Sequence, residues 1–192
     1  MATRMSGQER REQVLGIAEQ EFAGAGLYGA STETIARRAG ITQAYVFRMF
    51  GTKKLLFLEC VDAAFERMRL AMIAAAGGTS GIEALTAMGL EYNDMLADRT
   101  TLLLQLQGTA AAAAGDGEVR DAVRASFARL WQSVADTAQL DPVTVKAFLA
   151  LGMLLNTNAA LDLPSVDEPW SHQARTRIKP GLFNHITTET NR

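Results

Sequence analysis

With 192 residues, 48% of them apolar, the chain can bury a sizeable core in one ordinary domain or two small ones, and its bias to Ala, Leu and Met favours helix over sheet. The net charge of −2 conceals an asymmetry: residues 1–57 carry eight Lys/Arg against five Asp/Glu (+3) and the remainder eleven against sixteen (−5), so polyanion contact is expected of the first part alone. The single cysteine, Cys60, excludes an internal disulfide and a multi-cysteine metal site and fits a reducing cytosol.

The start, MATRMSGQERREQVLG, is charged and lacks the apolar run of a signal peptide. Residues 9–25 read as a first helix, with Val14, Ile17, Ala18 and Phe22 at helical spacing. The three glycines of GAGLYG then break the pattern. Ser31 is a plausible N-cap for a second helix, Thr32 to Ala39, with Ile35, Ala36 and Ala39 inward and Gly40 at the left-handed exit. Thr42 caps a third helix that runs to about Phe50, where Val46 and Phe50 face the core and Gly51 ends it. Two short helices joined by a turn that opens on glycine have the layout of a helix-turn-helix.

A helix that enters the DNA major groove needs donors and acceptors near its N-terminal end and charged groups for phosphates beside it. The third helix supplies both. Gln43 can pair with an adenine edge, Ala44 permits close approach to a thymine methyl, Tyr45 offers a ring and hydroxyl, and Arg48 reaches guanine or phosphate. Thr42, Thr52, Lys53 and Lys54 are available to the backbone.

From Thr52 a long amphipathic helix reads to about Ala75, and further helices read at about 81–97, 100–113, 117–138 and 141–161. Asp141 as N-cap with Pro142 at the first helical position marks the last of these. Beyond Leu161, residues of about 162–192 read as a partly irregular tail. No uncharged apolar run is long enough to suggest a membrane span.

An enzyme is not expected. His172 and His185 both lie in the tail with no Asp/Glu pair near either in a recognisable arrangement, and no phosphate loop or dinucleotide fingerprint occurs. No cofactor and no metal are implied. Cys60 reads as a small buried apolar residue.

The run ASTETIARRAGITQAYVFRMFGTKKLLF resembles the DNA-binding signature of the TetR/AcrR family of bacterial transcription regulators. The resemblance rests on Ile35-Ala36, on Ala39-Gly40-Ile41-Thr42, on Phe47 through Phe50 and on Lys53, and spans roughly residues 9–58. Phe47 and Met49 depart from it, since the family usually has Tyr at the first and often Tyr or His at the second.

The resemblance implies an all-α protein: a three-helix DNA-binding domain at 1–51 and a larger helical domain at 52–192 that binds a ligand and dimerises. By motif position it implies DNA contacts at Thr32, Thr42, Gln43, Ala44, Tyr45, Phe47, Arg48 and Lys53. It implies a cytoplasmic homodimer on a palindromic operator, most simply a repressor, with an unidentified small ligand and no membrane partner.

In the larger domain, Met88, Tyr92, Met95, Leu103, Gln107, Trp131 and Met153 make a mixed apolar, aromatic and amide set suited to a small apolar or amphipathic ligand. The same spacing also suits plain core. The two long late helices offer a dimer face through Phe127, Trp131, Val145, Phe148, Leu149, Gly152, Leu155 and Asn156, or pack within one subunit. The alternative function is a helical small-molecule-binding or interaction protein without DNA-dependent regulation.

Overall fold

A computed structural model describes residues 6–176, and every regular element among them is helical. In chain order these are α1 (Gly7–Gly29), α2 (Thr32–Ala39), α3 (Gln43–Phe50), α4 (Lys53–Ala76), α5 (Gly81–Met95), α6 (Arg99–Ala113), α7 (Gly117–Ala138), α8 (Pro142–Ala160), a 3-10 turn at Leu163–Ser165, and α9 (Pro169–Ala174).

The helix starts follow local chemistry. Ser6 and Glu9 form a reciprocal capping box at α1, the Glu9 amide donating to Ser6 Oγ at 3.1 Å and the Ser6 amide to Glu9 Oε2 at 2.6 Å. Asp141 Oδ1 accepts from the Val143 and Thr144 amides at 3.0 and 3.1 Å, which opens α8.

One boundary differs from the sequence expectation. The GAGLYG break is a single non-helical residue, Gly26 at φ +66°, after which helical turns resume to Gly29. Glycine is required there by the positive φ, and a Cβ would also lie 2.5 Å from Gln107 Oε1, at the far end of a flexible side chain.

The chain forms two compact units. The first comprises residues up to Phe65 together with Thr100–Ser126, and the second Glu66–Arg99 together with residues from Phe127 onward. Helices α4 and α7 contribute residues to both.

In the first unit the apolar faces of α1, α2, α3 and α4 supply Val14, Phe22, Ile35, Val46 and Phe57, all fully or almost fully buried. Phe22 and Phe57 meet edge to face, with ring centroids 5.2 Å apart. Arg11 binds both Glu59 carboxylate oxygens at 2.6 and 2.8 Å and lays its guanidinium 4.6 Å from the Phe50 ring centre, so one side chain joins α1 to α4 and to the end of α3. Helix α6 approaches α4 through Gly108, where a Cβ would lie 2.7 Å from Val61 Cγ1.

The second unit is built on α5 and α8 with the adjoining parts of α4 and α7. Met88, Leu85, Leu130, Val134, Val145 and Leu149 are buried in it. The Tyr92 hydroxyl donates to Asn156 Oδ1 and also lies 3.2 Å from the Gly152 carbonyl oxygen. Burial pushes the Tyr92 phenol above its ordinary range, although the bond to Asn156 works in the opposite direction.

Within the segment expected to be a partly irregular tail, the described residues, to Thr176, include the 3-10 turn and α9. Ser171 Oγ donates to the Leu163 carbonyl at 2.9 Å, and Asn158 Nδ2 to the Ala174 carbonyl at 2.9 Å, which folds α9 back on the end of α8. His172 is exposed on α9, with Nε2 2.9 Å from Asp167 Oδ1; His185 lies outside the described residues. Among the described residues no group of acidic, His or Cys side chains is arranged to hold a metal ion.

By length and composition one described helix, α8, is apolar enough to cross a membrane, with only 17% of it buried. Polar groups in its last turns are engaged within the protein, however. Asn156 meets Tyr92, Asn158 meets Ala174, and Arg99 Nη1 caps the Ala159 carbonyl at 3.0 Å.

Candidate nucleic-acid interface

The site is built on α2 and α3. Ser31 Oγ accepts from the Thr34 amide at 3.3 Å and starts α2. Helix α2 stops at Gly40, which takes φ +67° while its amide and that of Ile41 return to the last turn. Arg10 Nη1 reaches the Ala39 carbonyl at 3.3 Å and covers the same helix end from α1. Thr42 Oγ1 accepts from the Tyr45 amide at 3.3 Å, and α3 runs to Gly51 at φ +81°.

On α3 the division of faces is plain. Val46 and Phe50 are buried and fix the helix on the unit's core. Thr42, Gln43, Ala44, Phe47 and Arg48 are exposed, and Tyr45 is half-buried. The Arg48 guanidinium stacks 4.3 Å from the Tyr45 ring centre, which holds the charge close to the helix and screens the ring from water. Phe47, 38% exposed, offers an aromatic face and no hydroxyl.

Thr32 stands apart from the rest of the set because it is only 7% exposed. Its Oγ1 accepts a 2.6 Å hydrogen bond from Gln43 Nε2, which links the first residue of α2 to the first of α3. Nothing local in the sequence signals this bond, since the partners are eleven positions apart.

The two lysines at the start of α4 have different surroundings. Lys53 Nζ donates to the Tyr28 carbonyl at 3.2 Å, supplying a cation to the end of α1, which has no basic residue in its last turn. Lys54 pairs with Asp116 at 3.3 Å and with Glu118. The hydrogen bond that Lys54 donates to Glu118, followed by the one it donates to Asp116, raises the Lys54 pKa. Asp116 is held below its usual range first by the Val119 amide, with Lys54 adding to it. Thr52 Oγ1 accepts from the Leu55 amide at 3.1 Å and caps α4. Lys54 and Thr52 are therefore engaged within the unit.

The residues expected to hold a ligand are divided between the units. Leu103 and Gln107 lie on α6 in the first, half-buried, with Gln107 Nε2 3.5 Å from the Ala23 carbonyl. Met88 and Tyr92 are buried in the second, Met95 and Trp131 half-buried, and Met153 is 58% exposed.

The expected dimer residues fall on α7 and on α8. Val145, Leu149 and Asn156 are buried within the second unit, and a Cβ at Gly152 would lie 3.6 Å from the Tyr92 ring. Phe148 and Leu155 are half-buried, as are Phe127 and Trp131, whose rings lie 6.1 Å apart on α7. The outer side of α8 carries Met153 and Leu154 in water, residues that lie one and two positions past Gly152.

Residues 14–60 match the family described as bacterial regulatory proteins, tetR family. No curated protein matches the chain. The fold is similar to that of the TetR family transcriptional regulator PfmR from Thermus thermophilus, at 19% identity over 85% of this chain and 93% of that one, TM-score 0.63. It is similar also to a TetR-like transcriptional regulator from a Rhodococcus species, at 22% identity over 81% and 85%, TM-score 0.63. The fatty acid degradation regulator FadR from Bacillus halodurans shares the fold at 14% identity over 90% and 93%, TM-score 0.64.

Proposed function

We propose that this chain, whose residues 14–60 match the tetR family of bacterial regulatory proteins and whose fold is similar to that of such regulators over most of its length, is a homodimeric repressor released from its operator by a small apolar or amphipathic ligand. It is a cytoplasmic binding protein and not an enzyme. The observation that carries the reading is the face of α3: Gln43, Ala44 and Arg48 stand in water while Val46 and Phe50 anchor the helix from behind. A short rigid helix with an amide, a methyl and a guanidinium on its outer side meets the requirements for reading base edges.

Functionally, residues 1–51 bind DNA and 52–192 bind ligand and dimerise. Two recognition helices on a two-fold axis fit a palindromic operator with half-sites about one helical turn apart. The dimer face is assigned to α7 and α8. The exposed Met153 and Leu154, with the half-buried Phe148 and Leu155, make it up, and Val145, Leu149 and Asn156 support it from within. An apolar helix that leaves such side chains in water accounts for the hydropathy of α8 without a membrane.

For the ligand, the candidate residues are Met88, Tyr92, Met95 and Trp131, an apolar set with one polar handle, the Tyr92–Asn156 pair. The test is a gel shift with duplex DNA from upstream of the chain's own gene, followed by footprinting. Protection of a two-fold site supports the regulator. An absence of any sequence-dependent shift favours a helical ligand-binding protein without DNA-dependent regulation.

A further inference from the structure

We propose that Thr32 is a specificity-determining residue that acts through Gln43, restricting it to adenine and denying it guanine. The inference rests on the regulator reading above and deepens it at a single base pair. A glutamine side chain carries one acceptor and two amide protons. With both protons free it has two ways to read a purine in the major groove. It can accept from adenine N6 and donate to N7, or it can turn and donate twice, to guanine O6 and N7.

In this structure one of the two protons is taken. Gln43 Nε2 donates to Thr32 Oγ1 at 2.6 Å. What remains is one carbonyl oxygen and one N–H, a pattern complementary to the edge of adenine. Guanine presents two acceptors there and would leave the Gln43 oxygen facing another oxygen. Thr32 is suited to hold the amide because it is itself fixed, 7% exposed and set in the first turn of a helix capped by Ser31. Gln43 by contrast is exposed, and would rotate freely without the bond.

The experiment selects binders from a randomised duplex library with the wild-type chain and then measures affinities for the selected site and its single-base variants. Wild type is expected to prefer adenine over guanine at the Gln43 position by about tenfold, in the range of one bidentate contact. In Thr32→Val, which keeps the shape and removes the hydroxyl, that preference falls to about twofold while the other positions are read as before. Thr32→Ser restores it.

If Thr32→Val keeps the preference, or weakens every sequence equally with a shallower salt dependence, Thr32 serves the phosphates alone and the proposal is overturned. If wild type selects no sequence, the regulator reading falls and takes this inference with it. A measurement on the free wild-type protein needs no Thr32 variant. The Gln43 side-chain amide, assigned in NMR spectra by its loss in Gln43→Ala, is expected to show one proton protected from exchange with water. Two equally fast protons would overturn the proposal.

Discussion

Arg48 and Tyr45 form an aromatic–cation pair on α3, the proposed recognition helix, and the way they are stacked determines what removing either would do. The guanidinium rests on the ring, so less of its freedom is lost when it meets DNA. Arg48→Ala is expected to weaken operator binding about tenfold or more. If Arg48 reaches a phosphate, the slope of log affinity against log salt should become shallower by about 0.9 as well. Titrations at several salt concentrations check this, and an unchanged affinity throughout would remove Arg48 from the interface. Tyr45→Phe keeps the stack and should retain most of the affinity. At the same scale, Thr42→Ala removes the cap on the Tyr45 amide and should cost about 1 kcal/mol of stability, read by denaturant unfolding.

Among the helices, close approach is concentrated at a few glycines. Gly108 lets α6 lie against Val61 of α4, and a methyl there would meet Val61 Cγ1 at 2.7 Å. Both the helix and the valine would have to move, so Gly108→Ala is expected to cost about 1–3 kcal/mol, seen as a lower midpoint in urea. The α8 cap supplies a pH dependence. The Thr144 side-chain hydroxyl, then the backbone amides, hold Asp141 below its ordinary pKa. A carboxylate lowered by folding contributes stability above its unfolded pKa and loses that contribution as pH falls through the folded value. Thermal stability should therefore drop on acidification below the ordinary carboxylate range, and less steeply in Asp141→Asn, which can still cap but does not titrate.

The elements were legible where their signals are local. Ser31, Gly40, Thr42 and Gly51 mark the ends of α2 and α3 within a residue, because capping and positive φ depend on the residue itself. At Gly26 the same reasoning placed a full break where the helix takes one non-helical step and resumes. A Cβ there would lie 2.5 Å from Gln107 on α6, a neighbour that no window around Gly26 reports. The candidate site divides in the same way. Which face of α3 is exposed follows from its period, whereas the bond from Gln43 to Thr32 and those from Lys54 to Asp116 and Glu118 join residues distant in sequence. The two sides of α8 were not separable either, because that helix is apolar nearly all round and its period does not say which side meets Tyr92.

For the whole molecule, dimerisation and ligand response are the claims that matter, and they are linked. Leu154→Glu places a charge on the exposed side of α8, away from the buried Tyr92–Asn156 contact, so it should leave the protomer folded and yield monomers on sedimentation. A stable dimer would move the interface off α8. If one recognition helix alone cannot hold the operator, the same variant should lose most of its DNA affinity while keeping its ligand affinity. The ligand response is then a coupling free energy, and such a coupling must be reciprocal. A compound that weakens operator binding tenfold stabilises the released state over the bound one by about 1.4 kcal/mol. Operator DNA must in turn weaken that compound's affinity by the same tenfold factor. Small apolar and amphipathic compounds that raise the melting temperature, as any ligand of the folded state does, can therefore be sorted by measuring their affinity with and without saturating operator. Matching shifts in the two affinities identify an inducer acting through a change between two dimer conformations. A compound that stabilises the fold but binds equally well in both conditions occupies the protein without regulating it, and if all such compounds behave that way, the release mechanism is excluded.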